Sequence, residues 1–99
     1  MAEYVIADVT KYDEVERMRL DVERALGEID ILVVNVGGVF TMPGPFEELP
    51  EDGWRASLDG NLTSAFFTIK SVLPGMKRRR TGNIITMSSA AARRAQRPL

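Results

Sequence analysis

Hydrophobic positions change their spacing several times along the chain, and each change marks a predicted element. Tyr4 to Val9 is rich in β-branched residues and reads as a short strand. Thr10 follows in the place of a helix N-cap, with Asp13 three residues on in a capping-box-like arrangement. Val15, Met18, Val22, Leu26 and Ile29 then recur at spacings of three and four, which puts them on one helical face, and Gly27 marks a stop. Residues 31–36 form a short, continuous, β-branched run that suits a central strand covered on both faces. Gly37-Gly38 ends it, and Pro43, Gly44 and Pro45 mark residues 39–49 as a loop. Pro50 stands at a first helical position, with Glu51 and Asp52 near the positive helix end. Trp54, Leu58, Leu62, Ala65, Ile69 and Val72 give a long apolar stripe, which Pro74-Gly75 should break or end. Thr81-Gly82 is a turn, Asn83 to Ser88 a third strand-like run, and the tail from Ala90 to Leu99 has no clear period. The order strand, helix, strand, long helix, strand predicts an α/β architecture with a parallel sheet.

Composition narrows the chemistry. The 99 residues fit at most one small domain, and 44% apolar content is enough for a core rather than a disordered tail. The absence of cysteine excludes disulfides and thiolate metal sites, and the absence of histidine removes the commonest general base and metal ligand. No acidic loop has the spacing of a hard-cation site, so no metal is expected. The longest apolar stretch, Ile31 to Phe40, is too short to span a bilayer, and Met1-Ala2-Glu3 lacks the features of a signal peptide. A cytoplasmic protein with no membrane partner is the expectation.

The net charge of −1 hides an asymmetry. Residues 1–59 carry five Lys/Arg against fourteen Asp/Glu, and residues 60–99 carry eight Lys/Arg and no acid. The basic residues fall into two short clusters, Lys77 to Arg80 and Arg93, Arg94 and Arg97, without interleaved aromatics. They read as a solvated helix end and a solvated loop, not as a nucleic-acid surface.

Four short motifs sit at the ends of these elements or inside the long helix. Asp8-Val9 closes the first strand, and an aspartate there can accept from an exocyclic amine. Asn35-Val36-Gly37-Gly38 follows the second strand, where glycine permits close backbone approach to a ligand. Asn61 lies mid-helix beside Gly60, against its propensity. Ser89 ends the run Gly82-Asn83-Ile84-Ile85-Thr86-Met87-Ser88-Ser89, at the carboxyl end of a parallel strand, where α/β sheets place their ligand crevice. Each also has an ordinary structural reading: a capping Asp, a strand-ending Gly pair, a surface Asn, a turn Ser.

In this order, with matching elements between them, the four motifs resemble the short-chain dehydrogenase/reductase family over nearly the whole chain. The resemblance implies a partial Rossmann-like, doubly wound parallel sheet, its third to fifth strands with connecting helices. Residues 1–99 would then be an incomplete NAD(P)-binding domain. It implies an oxidoreductase transferring hydride between NAD or NADP and an alcohol or carbonyl substrate. Asp8, Val9, Asn35, Val36, Gly37 and Gly38 would lie along the cofactor. Ser89 would orient the carbonyl, and Asn61 would hold a relay water and distort its helix locally. The family motif reads N-N-A-G, so Val36 and Gly37 are departures. The family's glycine-rich turn and its Tyr-x-x-x-Lys pair have no match: four residues after Tyr4 and Tyr12 stand Asp8 and Glu16. The chain by itself is therefore expected to be an inactive central segment.

The family's long helix commonly makes subunit contacts, which implies a homo-oligomer. The alternative is a non-catalytic interaction protein that associates through an exposed strand edge or that helix.

Overall fold

The computed structural model describes residues 2–38 and 44–87. Two strands form, β1 (Ile31–Val34) and β2 (Asn83–Thr86), paired in parallel with Ile31 opposite Asn83 and Val34 opposite Thr86. Backbone bonds from Asn83 N to the Asp30 carbonyl (3.0 Å) and from Met87 N to the Val34 carbonyl (3.2 Å) extend the ladder at both ends. The expected strand over Tyr4–Val9 is not formed. A ladder needs a hydrogen-bonding neighbour, and the order 3-2-1-4-5-6 expected from the resemblance separates this segment from β1 and β2. Nor is β1 covered on both faces: Val34 is buried, but Ile31 is 61% exposed.

Helix α1 (Tyr12–Leu26) precedes β1. It buries Val15 completely, and Gly27 ends it by donating to the Glu23 carbonyl. Thr10 is not its cap. Its amide and hydroxyl both bond back to Asp8, so the helix starts two residues later at Tyr12. The crossover from β1 to β2 runs through α2 (Glu51–Leu58), a widened π-type turn at Asp59–Thr63, and α3 (Ser64–Arg79). Pro50 flanks α2 in an extended conformation and so sits just outside the helix.

The buried face of this long helix shares only Val72 with the apolar stripe, whose Leu58, Ala65 and Ile69 are half-buried. Gly60, Ser64, Thr68, Val72 and Met76 recur every fourth residue and are all buried. Trp54 and Leu62 stay 50% and 66% exposed. Small residues let α3 lie close on α1 and β1. Their hydroxyls are paired within the helix, Ser64 Oγ to the Gly60 carbonyl (2.8 Å) and Thr68 Oγ1 to the Ser64 carbonyl (2.9 Å). Burial therefore leaves neither hydroxyl unsatisfied.

Pro74 does not end the helix. It removes one donor, yet α3 runs on to Arg79, because the next turn is anchored by buried Met76 and by Arg79. The Arg79 guanidinium donates to the Ile29 carbonyl (2.6 Å) and to Asp30 (3.0 Å), and its Nε faces the Glu28 carboxylate at 3.1 Å. That last contact is a charge pairing without hydrogen-bond alignment. Arg80 closes the helix in the left-handed region (φ 54°), with Thr81 N reaching the Met76 carbonyl at 3.2 Å. Gly82 follows at φ 144°, where a Cβ would fall 2.6 Å from the Met76 side chain.

Val15→Ala should cost about 2 kcal/mol, from lost burial and the cavity left behind. Leu62→Ser should stay within about 0.5 kcal/mol, as expected of an exposed position. Chemical denaturation of the two variants decides which face of the long helix is core; the reverse ranking would restore the apolar stripe.

Candidate functional site

β1 and β2 run in the same direction in register, so both leave the sheet at one end. From β1 the chain enters Asn35–Gly38, whose residues are all exposed. From β2 it passes Met87 toward Ser88 and Ser89, which lie outside the described residues, as do residues 39–43 and the arginines of the tail. The carboxyl end of a parallel sheet is where such folds gather ligand-binding backbone.

Asn61 is brought to this end by the widened turn. A π-type turn holds one residue more than an α-turn, with Ser64 N bonding back to the Asp59 carbonyl. The helix distortion expected at Asn61 is present, and buried Gly60 lies within it. The Asn61 side chain makes three hydrogen bonds. Its Oδ1 accepts from Gly38 N (2.9 Å), and its Nδ2 donates to the Ser57 carbonyl (2.9 Å) and the Gly38 carbonyl (3.3 Å). One amide thus bridges the loop after β1 and the turn in the long helix. Ser57 was not singled out by sequence reasoning; the signal available was its position four residues before a mid-helix Asn.

Asp8 sits apart from this cluster, in the turn that opens α1. Its Oδ1 accepts from the Thr10 hydroxyl (2.6 Å) and the Thr10 amide (3.0 Å), while its own amide donates to Glu14 Oε1 (3.1 Å). The Thr10 hydroxyl, then the Thr10 amide, with Lys11 nearby, hold the Asp8 carboxyl below its ordinary value. Among the described residues its Oδ2 accepts no hydrogen bond, which leaves an exposed, anionic acceptor. Val9 beside it is half-buried.

A second polar cluster joins α1 to α3. Arg19 donates to Ser71 Oγ (2.9 Å), Glu16 (3.1 Å) and Glu23 (2.6 Å), and the Tyr12 hydroxyl donates to Glu16 (3.0 Å). These groups line a cavity of about 150 Å³ with Lys70, whose Nζ lies 4.7 Å from the Tyr12 ring centre. Desolvation, then the bond to Glu16, push the Tyr12 phenol above its ordinary value, away from proton transfer near neutrality. Among the described residues no group of three His, Cys, Asp or Glu could hold a metal ion. Nor is any helix there long and apolar enough to cross a membrane.

The family model for short chain dehydrogenases matches residues 1–98. The chain belongs to the short-chain dehydrogenase family. It is 40% identical over 91 residues to 2,3-dihydro-2,3-dihydroxybenzoate dehydrogenase of Bacillus subtilis, covering 92% of this chain and 34% of that protein. It is 40% identical over 83 residues to D-beta-hydroxybutyrate dehydrogenase of Cupriavidus necator, covering 84% and 31%. A short-chain dehydrogenase structure from Streptomyces avermitilis superposes with a TM-score of 0.81 at 29% identity, covering 95% of this chain and 34% of that one. NAD+-bound xylitol dehydrogenase superposes at 0.84 with 29% identity, covering 93% and 35%. The chain thus spans about a third of the length of these relatives. The neighbours are Rossmann-fold dehydrogenases, and the parallel β1–β2 pair with its helices is the matching part of their α/β fold.

The Asp8 turn gives a pH prediction. The carboxyl's folded value is depressed, so its contribution is complete above the ordinary carboxylate value and is lost as pH falls through the depressed one. A carbon-detected titration should place Asp8 below a free aspartate, and Thr10→Val should move it back up. An unchanged midpoint in that variant would remove Thr10 as the cause.

Proposed function

We propose that these residues form part of an oxidoreductase that moves hydride between NAD or NADP and an alcohol or carbonyl substrate. The observation that carries this reading is the Asn61 amide, bonded to both backbone groups of Gly38 at the sheet end toward which β2 also runs. Two of the four family motifs, Asn35–Gly38 and Asn61, meet there. In the proposal 1–99 is an incomplete NAD(P)-binding domain of a cytoplasmic protein.

The described residues fit such a cofactor. Asn35, Val36, Gly37 and Gly38 are exposed, and Gly37 and Gly38 carry no side chain to hold a ligand off the backbone. Asp8, whose Oδ2 accepts no hydrogen bond among the described residues, would accept from an adenine amine, with Val9 beside it. The nicotinamide, when bound, supplies the hydride acceptor or donor. In this reading Ser89 donates its hydroxyl hydrogen to the substrate oxygen and fixes the carbon that gains or loses hydride. In this reading Asn61 holds the relay water: its Oδ1 accepts one bond, from Gly38 N, and keeps a second lone pair.

Neither the glycine-rich turn nor Tyr-x-x-x-Lys occurs among the 99 residues, and Tyr12 is poorly placed to stand in. We therefore infer that these residues alone do not turn over. A titration of the 99-residue chain with NAD(H) or NADP(H) should show no saturable binding. Micromolar affinity would overturn the inference. In a form that carries both missing motifs, Ser89→Ala should lower kcat about 100-fold or more, as for loss of one donor to a developing oxyanion. A kcat within twofold would remove Ser89 from the reaction.

The same protein is proposed to be a homo-oligomer. Trp54 of α2, Leu62 of the widened turn and Phe66 of α3 are half or more exposed, a row along the crossover that a second copy would cover. This row and the open sheet face at Ile31 and Val33 also support the second reading, a non-catalytic partner-binding chain. Leu62→Arg with Phe66→Glu should convert an oligomer to monomer in sedimentation while leaving thermal unfolding little changed. A monodisperse monomer before mutation would count against both uses of the row.

A further inference from the structure

The polar cavity between α1 and α3 adjoins an open groove of about 550 Å³ on the exposed side of α3, and Lys70, Pro74 and Arg78 line both. The two spaces differ in character. The cavity is walled by Tyr12, Ser71 and the Arg19 ion pairs, whereas Leu73 and Pro74 give the groove an apolar floor. Leu73 is 39% exposed there.

Charge sharpens the contrast. Arg19 already serves Glu16 and Glu23, and the Tyr12 hydroxyl also donates to Glu16. Arg79 turns elsewhere, to Glu28 and Asp30. Among the described residues Lys70 and Arg78 pair with no carboxylate, and residues 60–99 contain none. Both cations are nonetheless held in place. Lys70 Nζ lies 4.7 Å from the Tyr12 ring centre and 5.7 Å from that of Phe66. The Arg78 guanidinium folds back over Gly75, its Nη2 3.7 Å from where a Cβ would stand. Two positive charges thus stand, without a counter-charge, where the polar and apolar spaces meet.

We propose that this junction binds a small amphiphilic anion, a phosphate monoester whose head lies between Lys70 and Arg78 and whose apolar body lies on Leu73 and Pro74. The two free cations match the charge of such a head, about −1.5 to −2 near neutrality. Arginine offers it two parallel donors, and the groove takes a short alkyl chain out of water. The site is independent of hydride transfer, so either assignment can fail without the other.

The test is calorimetric titration of the full-length protein with decyl phosphate, kept monomeric, and with inorganic phosphate at the same ionic strength. Decyl phosphate should bind saturably and about tenfold or more tighter than inorganic phosphate, the gain expected from burying part of its chain. Lys70→Gln and Arg78→Gln should each weaken it about fivefold, as for an exposed ion pair, while Lys70→Arg keeps the affinity. Leu73→Asn should remove the gain from the chain and leave inorganic phosphate binding within about twofold. Lys70, Leu73 and Arg78 are exposed, so these variants keep the fold, which an unchanged unfolding midpoint checks. Heat that does not saturate, or affinity unchanged in both Gln variants, overturns the proposal. So does decyl phosphate that binds no tighter than inorganic phosphate or decanoate. Binding to vesicles of phosphatidylglycerol in phosphatidylcholine without binding to monomeric decyl phosphate also overturns it, because the occupant is then a membrane surface.

Discussion

β1 and β2 are parallel, and two parallel strands cannot be joined by a tight turn. The chain has to leave one end of the sheet and re-enter at the other, so a long helical crossover must lie back across the strands. The features of the crossover answer that requirement. The crossover needs a close-packing face, a way out of the first strand and a way into the second. Gly60, Ser64 and Thr68 supply the face, Asn35 to Gly38 the exit, and Arg79 to Gly82 the entry.

The polar contacts divide by place. Those of Ser64 and Thr68 under the long helix are local and silent, hydroxyls satisfied by carbonyls four residues back, while buried Ser71 accepts from Arg19 of α1. Those at the sheet ends reach far along the sequence. Arg79 ties the amino end of β2 to residues 28–30, and Asn61 ties the carboxyl end of β1 to the helix. The helix is thus pinned to the sheet at both ends. At the carboxyl end the pin is an uncharged amide, which leaves the neighbouring backbone open to a ligand.

The elements were largely legible in the sequence, because their signals are short-range. The three- and four-residue spacing marked α1 and Gly27 its stop, and β1 and β2 formed over 31–34 and 83–86, inside the runs expected at 31–36 and 83–88. The Tyr4–Val9 strand did not, since a strand is a relation between segments and its neighbour is not β1 or β2. Pro74 misled for a similar reason: one lost hydrogen bond is outweighed by the anchors on either side of it. The apolar stripe was real as a pattern, but its periodicity did not say which face would be covered.

The sequence by itself determined the order of elements from α1 onward, the parallel α/β class and the positions of the four family motifs, because these depend on residue types and on spacings within a turn or two. The tertiary structure decided which face of the long helix is buried, how Asp8 is held, and that Asn61 closes on Gly38. Those outcomes depend on contacts between residues more than twenty positions apart, or on hydrogen-bond competition within a turn. The glycine at 37 shows the division. Its freedom is visible in its name, but the reason for it, an amide oxygen where a Cβ would stand, exists only once the helix has crossed the sheet.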